Sequence, residues 1–218
     1  MNNLPTNSSA PEPVAPGVGI WAYTYRPDNR IAVTLDNNMW NVLYEQQARV
    51  SLKVEFPEAR FALFIPREVE IEALAINEVR KPELVSFIKR TREECGIRTA
   101  AIFGFSTGGL ERYGGFGMGT FQSPGERARL EELRHFIGPQ QKRSGLVHNE
   151  ADVSLANLAF TSVVITADDS PPLRFAAKRG GKVVFLDREQ LYQPTGLRGY
   201  VEAAYVGGIA DMTNAGGR

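Results

Sequence analysis

Apolar residues follow two alternating rhythms along this chain. Four short runs, "RIAVTL" (30–35), "ARFALFI" (59–65), "SVVITA" (162–167) and "KVVFL" (182–186), have the nearly continuous apolar character of strands buried on both faces. "RTAAIFGF" (98–105) is a further strand candidate. Between them lie segments with a helical period. Met39, Trp40, Leu43 and Tyr44 share a face in 37–51, and Val153, Ala156, Ala159 and Phe160 share one in 149–161. The punctuation agrees: Pro66 opens a helix over 67–80, Gly96 stops one over 82–96, Ser123-Pro124 starts one that ends at Gly138, and a Pro pair opens 171–181. Strands alternating with helices predict an α/β sandwich of three layers, a central and mainly parallel sheet with helices on both faces.

The same pattern divides the chain. Residues 30–187 carry the folded domain. The polar, Pro-rich leader predicts a flexible N-terminal arm over 1–29, in which "IWAYTYR" (20–26) is either a short strand or an aromatic segment packed on the domain edge. "STGGLERYGGFGMGTF" (106–121) is glycine-dense and interrupted by aromatics, a mobile loop or hairpin insertion. It holds no Gly-x4-Gly-Lys-Ser/Thr, and "GGFGMG" lacks the flanking strand and helix of a dinucleotide fingerprint. Residues 188–218 read as a C-terminal extension, partly helical and partly disordered.

Composition narrows the classes. With 218 residues and 43% hydrophobic residues the chain has enough apolar surface for one large core. Lys+Arg and Asp+Glu are both 25, so bulk charge gives no argument for nucleic acid, and local clustering has to decide. The single Cys95 excludes an intrachain disulfide and suits a reducing cytoplasm; with only two histidines it also argues against a Cys/His zinc site. The leader lacks the basic start and apolar stretch of a signal peptide, and no segment approaches bilayer-crossing length. The expectation is a cytoplasmic protein with no membrane partner.

Chemistry concentrates in the acids. Asp36 ends the first strand and Asp168 the "SVVITADDS" strand, while Glu72 and Asp152 stand near the starts of helices. In a parallel sheet these positions converge at one edge, where ligands bind. Asp and Asn also cap strands and helices everywhere, so each acid alone is an ordinary cap. Together they would repel unless a cation neutralised them, and an all-oxygen donor set suits Mg²⁺ or Mn²⁺. Such a site activates water and stabilises charge on a phosphodiester.

"VTLDNNMWNVL", "IPREVEIEAL", "EADVSLANLAF" and "VVITADDS" stand in an order that resembles the PIN-domain nucleases, over roughly residues 30–187. The resemblance implies a PIN-like sandwich and an Mg²⁺- or Mn²⁺-dependent endoribonuclease. It implies Asp36, Glu72, Asp152 and Asp168 as catalytic metal ligands, Asn38 as a brace and Thr166 as the strand-end hydroxyl. Glu72 keeps the spacing after Pro66 better than Glu70 or Glu68. Family members include toxins of toxin–antitoxin pairs, which makes an antitoxin protein a candidate partner beside RNA and a second copy of the chain. Asn37, the long 106–121 segment and the terminal extensions depart from the family pattern.

The remaining residues have plainer readings. Trp40 and Tyr44 suit a helix core, and His135, His148 and Cys95 suit structural roles. Basic clusters stand at 89–98, 141–143 and 174–182; the last follows Asp168, which nominates Arg174 and Lys178 to hold a phosphate backbone. Two rivals remain: a catalytically inactive PIN-like module that binds RNA or protein, and a haloacid-dehalogenase-like phosphatase, whose Asp-x-Asp is broken here by Asn38.

Overall fold

A computed structural model describes residues 20–100, 123–186 and 196–207; the glycine-rich 106–121 insertion therefore lies outside the described residues. The apolar runs become β1 (Ile31–Leu35), β2 (Phe61–Pro66), β3 (Arg98–Ala100), β4 (Val163–Thr166) and β5 (Val183–Phe185). They form one sheet in the order β3-β2-β1-β4-β5, and every pairing is parallel. β1 and β4 are buried along their whole length, which is why their sequences are continuously apolar rather than alternating.

Eight α-helices complete the described fold: α1 (Asn38–Glu45), α2 (Leu52–Glu55), α3 (Arg67–Leu74), α4 (Pro82–Glu94), α5 (Pro124–Leu133), α6 (Glu150–Leu158), α7 (Pro171–Lys178) and α8 (Gly196–Gly207). α1 packs on α4, and α8 packs on β4, β5 and α2. On the other face α6 is central, touching α3, α5, α7 and the sheet. The molecule is thus an α/β sandwich of three layers around a five-stranded parallel sheet. Chain order reverses between β1 and β4: one leads outward to β2 and β3, the other to β5. In sheets of this topology ligands bind outside the carboxyl ends of the strands, in the crevice where the order reverses.

Two terminal segments pack onto the sandwich. Residues 20–26 form no strand, because their hydrogen bonds go to helix ends rather than to a sheet edge. Trp21 N–H donates to the Arg179 carbonyl and Thr24 N–H to the Phe160 carbonyl, each at 2.8 Å. The Trp21 ring packs edge-on against Phe160 at 5.0 Å and Phe175 at 6.0 Å, the edge-packed alternative. α8 falls within the C-terminal extension and buries Leu197, Tyr200, Val201 and Ala204.

These segments meet at Lys182, which is only 5% exposed. Its ammonium lies 4.4, 4.9 and 5.3 Å from the ring centroids of Tyr23, Tyr205 and Tyr25, and it donates to the Tyr205 carbonyl. Burial and the neighbouring phenols push the Tyr23 hydroxyl upward, so it stays neutral beside the cation. The turn that delivers Lys182 needs Gly181, where a Cβ would lie 2.8 Å from the Ala176 carbonyl. Desolvated cation–π contacts reach about 2 kcal/mol. Lys182→Ala is therefore expected to lower stability by about 2 kcal/mol or more, and the exposed Lys178→Ala to change it by less than about 0.5 kcal/mol. Denaturant unfolding of both variants checks this; equal losses would contradict the cage.

Candidate functional site

β1 ends because Asp36 replaces the apolar run, and its side chain turns into the seam with β4. Asp36 N–H still donates to the Ile165 carbonyl at 3.0 Å, so the backbone pairing extends to the carboxylate itself. The carboxyl group is 4% exposed and answered on both oxygens. Asn37 N–H donates to Oδ1 at 2.5 Å. Thr166 Oγ1 and Asn38 Nδ2 donate to Oδ2 at 2.7 and 2.8 Å. Asn38 Oδ1 in turn accepts the Ala167 N–H at 3.0 Å, and Thr166 Oγ1 accepts the Asp168 N–H at 2.9 Å. Asn38 and Thr166 therefore brace Asp36 and set the loop after β4.

Around this bracket stand the other acids. Glu72 projects from α3 and Asp152 from the first turn of α6; both are partly buried, while Asp168 is exposed at the tip of β4. Their charges act on one another. Desolvation raises the Asp36 carboxyl to about 7, against the lowering hydrogen bonds from Thr166 and Asn37, and the Asp152 and Glu72 charges raise it further. Desolvation also raises Asp152, with the Asp168 and Glu72 charges adding to it and Lys142 opposing. Glu70, on the same helix as Glu72, belongs elsewhere: Arg67 and Arg92 pair with it, each at 2.7 Å.

Among the described residues, no group of three or more His, Cys, Asp or Glu side chains is arranged so that it could hold a metal ion. The donor chemistry nevertheless fits a hard divalent cation. Every candidate donor is a carboxylate oxygen, and the mutual repulsion is a charge that such a cation would offset. Ser170 Oγ, 6% exposed and next to Asp152, has no well-formed hydrogen bond although its hydroxyl favours the ionised Asp152.

Of the basic candidates, Arg174 lies on the second turn of α7 and forms an ion pair with Asp169 at the rim. Lys178 does not join it. It is the last residue of α7, four residues and about 6 Å of helix farther from the strand tips. Lys182 is enclosed by its tyrosines. The residue that sequence reasoning passed over is Lys142, whose Nζ donates to Glu72 Oε1 at 2.8 Å. Its signal is the "QKRSG" turn just before the Asp152 helix, which in the sequence looks like one more basic run. Trp40 and Tyr44 are structural: the first is fully buried, and the second donates to Glu83 at 2.5 Å with its ring against Phe87.

The Asp36 shift has a thermodynamic sign. The folded carboxyl keeps its proton to about pH 7, whereas an unfolded Asp loses it near pH ~4. Folding then takes up a proton between those values, so stability falls as pH rises from ~4 to ~7. Without divalent metal, Asp36→Asn is expected to flatten that slope and to gain ~1–2 kcal/mol at pH 8, after losing the bond from Asn37 N–H. Melting curves in chelator at pH 4, 6 and 8 test it; parallel profiles for both proteins would make Asp36 an ordinary cap.

Compared with models of protein families, with curated proteins and with solved structures, the chain matches none.

Proposed function

We propose that this chain is a PIN-like, metal-dependent endoribonuclease. The observation that carries the reading is the braced, buried Asp36 at the β1–β4 crevice with Glu72, Asp152 and Asp168 acting on the same space. Asp36, Asp152 and Asp168 would hold Mg²⁺ or Mn²⁺, with Glu72 as a further ligand or as the base that orients water. The bound ion supplies a water of lowered pKa and a positive charge beside the phosphodiester. Asn38 and Thr166 keep Asp36 Oδ2 occupied, which leaves Oδ1 the freer oxygen. Thr166 also fixes the start of the Asp168 loop. No side chain is needed as a covalent nucleophile.

In this proposal Arg174, paired with Asp169 in the free protein, exchanges it for a phosphate, while Lys178, at the far end of α7, takes no part in the grip. RNA is the proposed substrate; an antitoxin protein or a second copy of the chain are proposed partners. The alternative of a non-cleaving RNA- or protein-binding module draws on one observation, the Lys142 ammonium already paired with Glu72.

Incubating RNA with the protein and Mn²⁺ tests the reading. Water attack that expels the 3′-oxygen leaves 5′-phosphate and 3′-hydroxyl ends, whereas attack by the 2′-hydroxyl expels the 5′-oxygen and leaves cyclic phosphates. The first set is expected, with Asp36→Asn and Asp168→Asn each slower by about 100-fold or more. Cyclic phosphate ends, or unchanged cleavage by both variants, would defeat the proposal. In the same system Arg174→Ala is expected to weaken RNA binding and lower its salt slope by about one unit, and Lys178→Ala to leave both unchanged.

A further inference from the structure

The segment before α6 doubles back on itself. Gln141 bridges Val147 in antiparallel fashion, Lys142 N–H donates to the Leu146 carbonyl at 2.6 Å, and His148 N–H donates to the Gln140 carbonyl at 2.8 Å. Gly145, at a φ of +82°, makes the tip. The base is anchored as well: Asn149 Nδ2 donates to the Phe136 carbonyl at 3.1 Å and Glu150 accepts the Val147 N–H at 2.8 Å. A short hairpin is thus held over the start of the helix that carries Asp152.

From it Lys142 reaches across to α3. Its Nζ lies 2.8 Å from Glu72 Oε1, with the two side chains 38% and 17% exposed. The charged form of Lys142 is favoured first by Glu72 and then by Asp152 and Asp36, against the penalty of desolvation. The ammonium therefore lies within the field of three of the four acids. It is also distinct from the ordinary ion pairs of α3, where Arg67 and Arg92 serve Glu70 on another side.

We propose that Lys142 is a tethered counter-ion of the acid site, which a divalent ion must displace from Glu72, so that the hairpin sets how tightly the site holds metal. This rests on the metal reading given above. A lysine ammonium and a divalent ion repel at short range, and both seek the same carboxylate oxygen. Among the four acids, Glu72 has this tethered rival, while Asp36 is braced by neutral donors that a cation does not repel. The exchange therefore takes place at Glu72. Without metal, the ammonium reduces repulsion among the acids; with metal, it is the cost that lowers affinity.

Mn²⁺ binding, followed by the loss of the free-ion electron paramagnetic resonance signal at fixed pH and salt, tests this on the full chain without an activity assay. Lys142→Gln, which keeps the length and removes the charge, is expected to bind Mn²⁺ at least about fivefold more tightly and to melt lower than wild type in chelator. Lys142→Arg should remain near wild type in both. Arg143→Gln removes the same charge one residue away and should leave affinity within about twofold. Equal or weaker binding by Lys142→Gln, with Mn²⁺ still bound by wild type, overturns the counter-ion and spares the metal reading. An equal gain from Arg143→Gln also overturns it, since general charge would then explain the effect. Absence of Mn²⁺ binding in wild type and in every variant overturns the metal reading itself.

Discussion

A carboxyl group buried between two parallel strands is costly, and the seam between β1 and β4 is organised around offsetting that cost. Water is excluded from Asp36, so its charge must be answered by donors or left protonated. Thr166 comes from the neighbouring strand, Asn38 from the helix that follows, and Asn37 from the chain itself. These donors fix the relative position of β1, β4 and α1 at one point. A second hydroxyl pair, Thr34 with Ser162 at 2.7 Å, ties the same seam farther down. The seam is also where strand order reverses, so the group that most needs compensation sits where a ligand can supply it.

The protein's zero net charge conceals a local arrangement. Glu70 is neutralised by Arg67 and Arg92, and Asp169 by Arg174. Asp36, Asp152 and Asp168 have no such arginine partner among the described ion pairs, and Glu72 has only the lysine of a hairpin. Surface ion pairs contribute little to stability, so their main effect here is to decide which acids remain open to an added cation. At the opposite end of the sheet Lys182 is treated in the reverse way, sealed among aromatic faces and withdrawn from any ligand.

Much of this was legible in the chain. Continuous apolar runs bounded by Asp, Pro and Gly located β1, β2, β4 and β5, since a strand buried on both faces has no polar side to show. The strand-tip acids were legible for the same reason: Asp36 and Asp168 interrupt runs that tolerate no polar residue. What escaped were contacts between segments distant in sequence. Lys142 and Glu72 are 70 residues apart, and only the docked hairpin brings them together. Residues 174–182 read as one basic strip, but α7 ends at Lys178 and the glycine turn sends Lys182 inward. α1 stops at Glu45 rather than near 51, because Gln46, Gln47 and Arg49 offer no apolar face to continue it. The aromatics of 20–26 alternate as a strand would, yet helix ends receive the Trp21 and Thr24 hydrogen bonds.

The central proposal is that Asp36, Glu72, Asp152 and Asp168 share one cation. Paramagnetic broadening of amide resonances by substoichiometric Mn²⁺ tests it most directly, because the effect falls steeply with distance from the bound ion. The account predicts selective loss of the signals of residues 36–38, 72, 152 and 167–170, with those of Tyr23, Lys182 and Tyr205 at the other end of the sheet retained. Uniform weak broadening, or a centre of broadening away from the β1–β4 crevice, would contradict it.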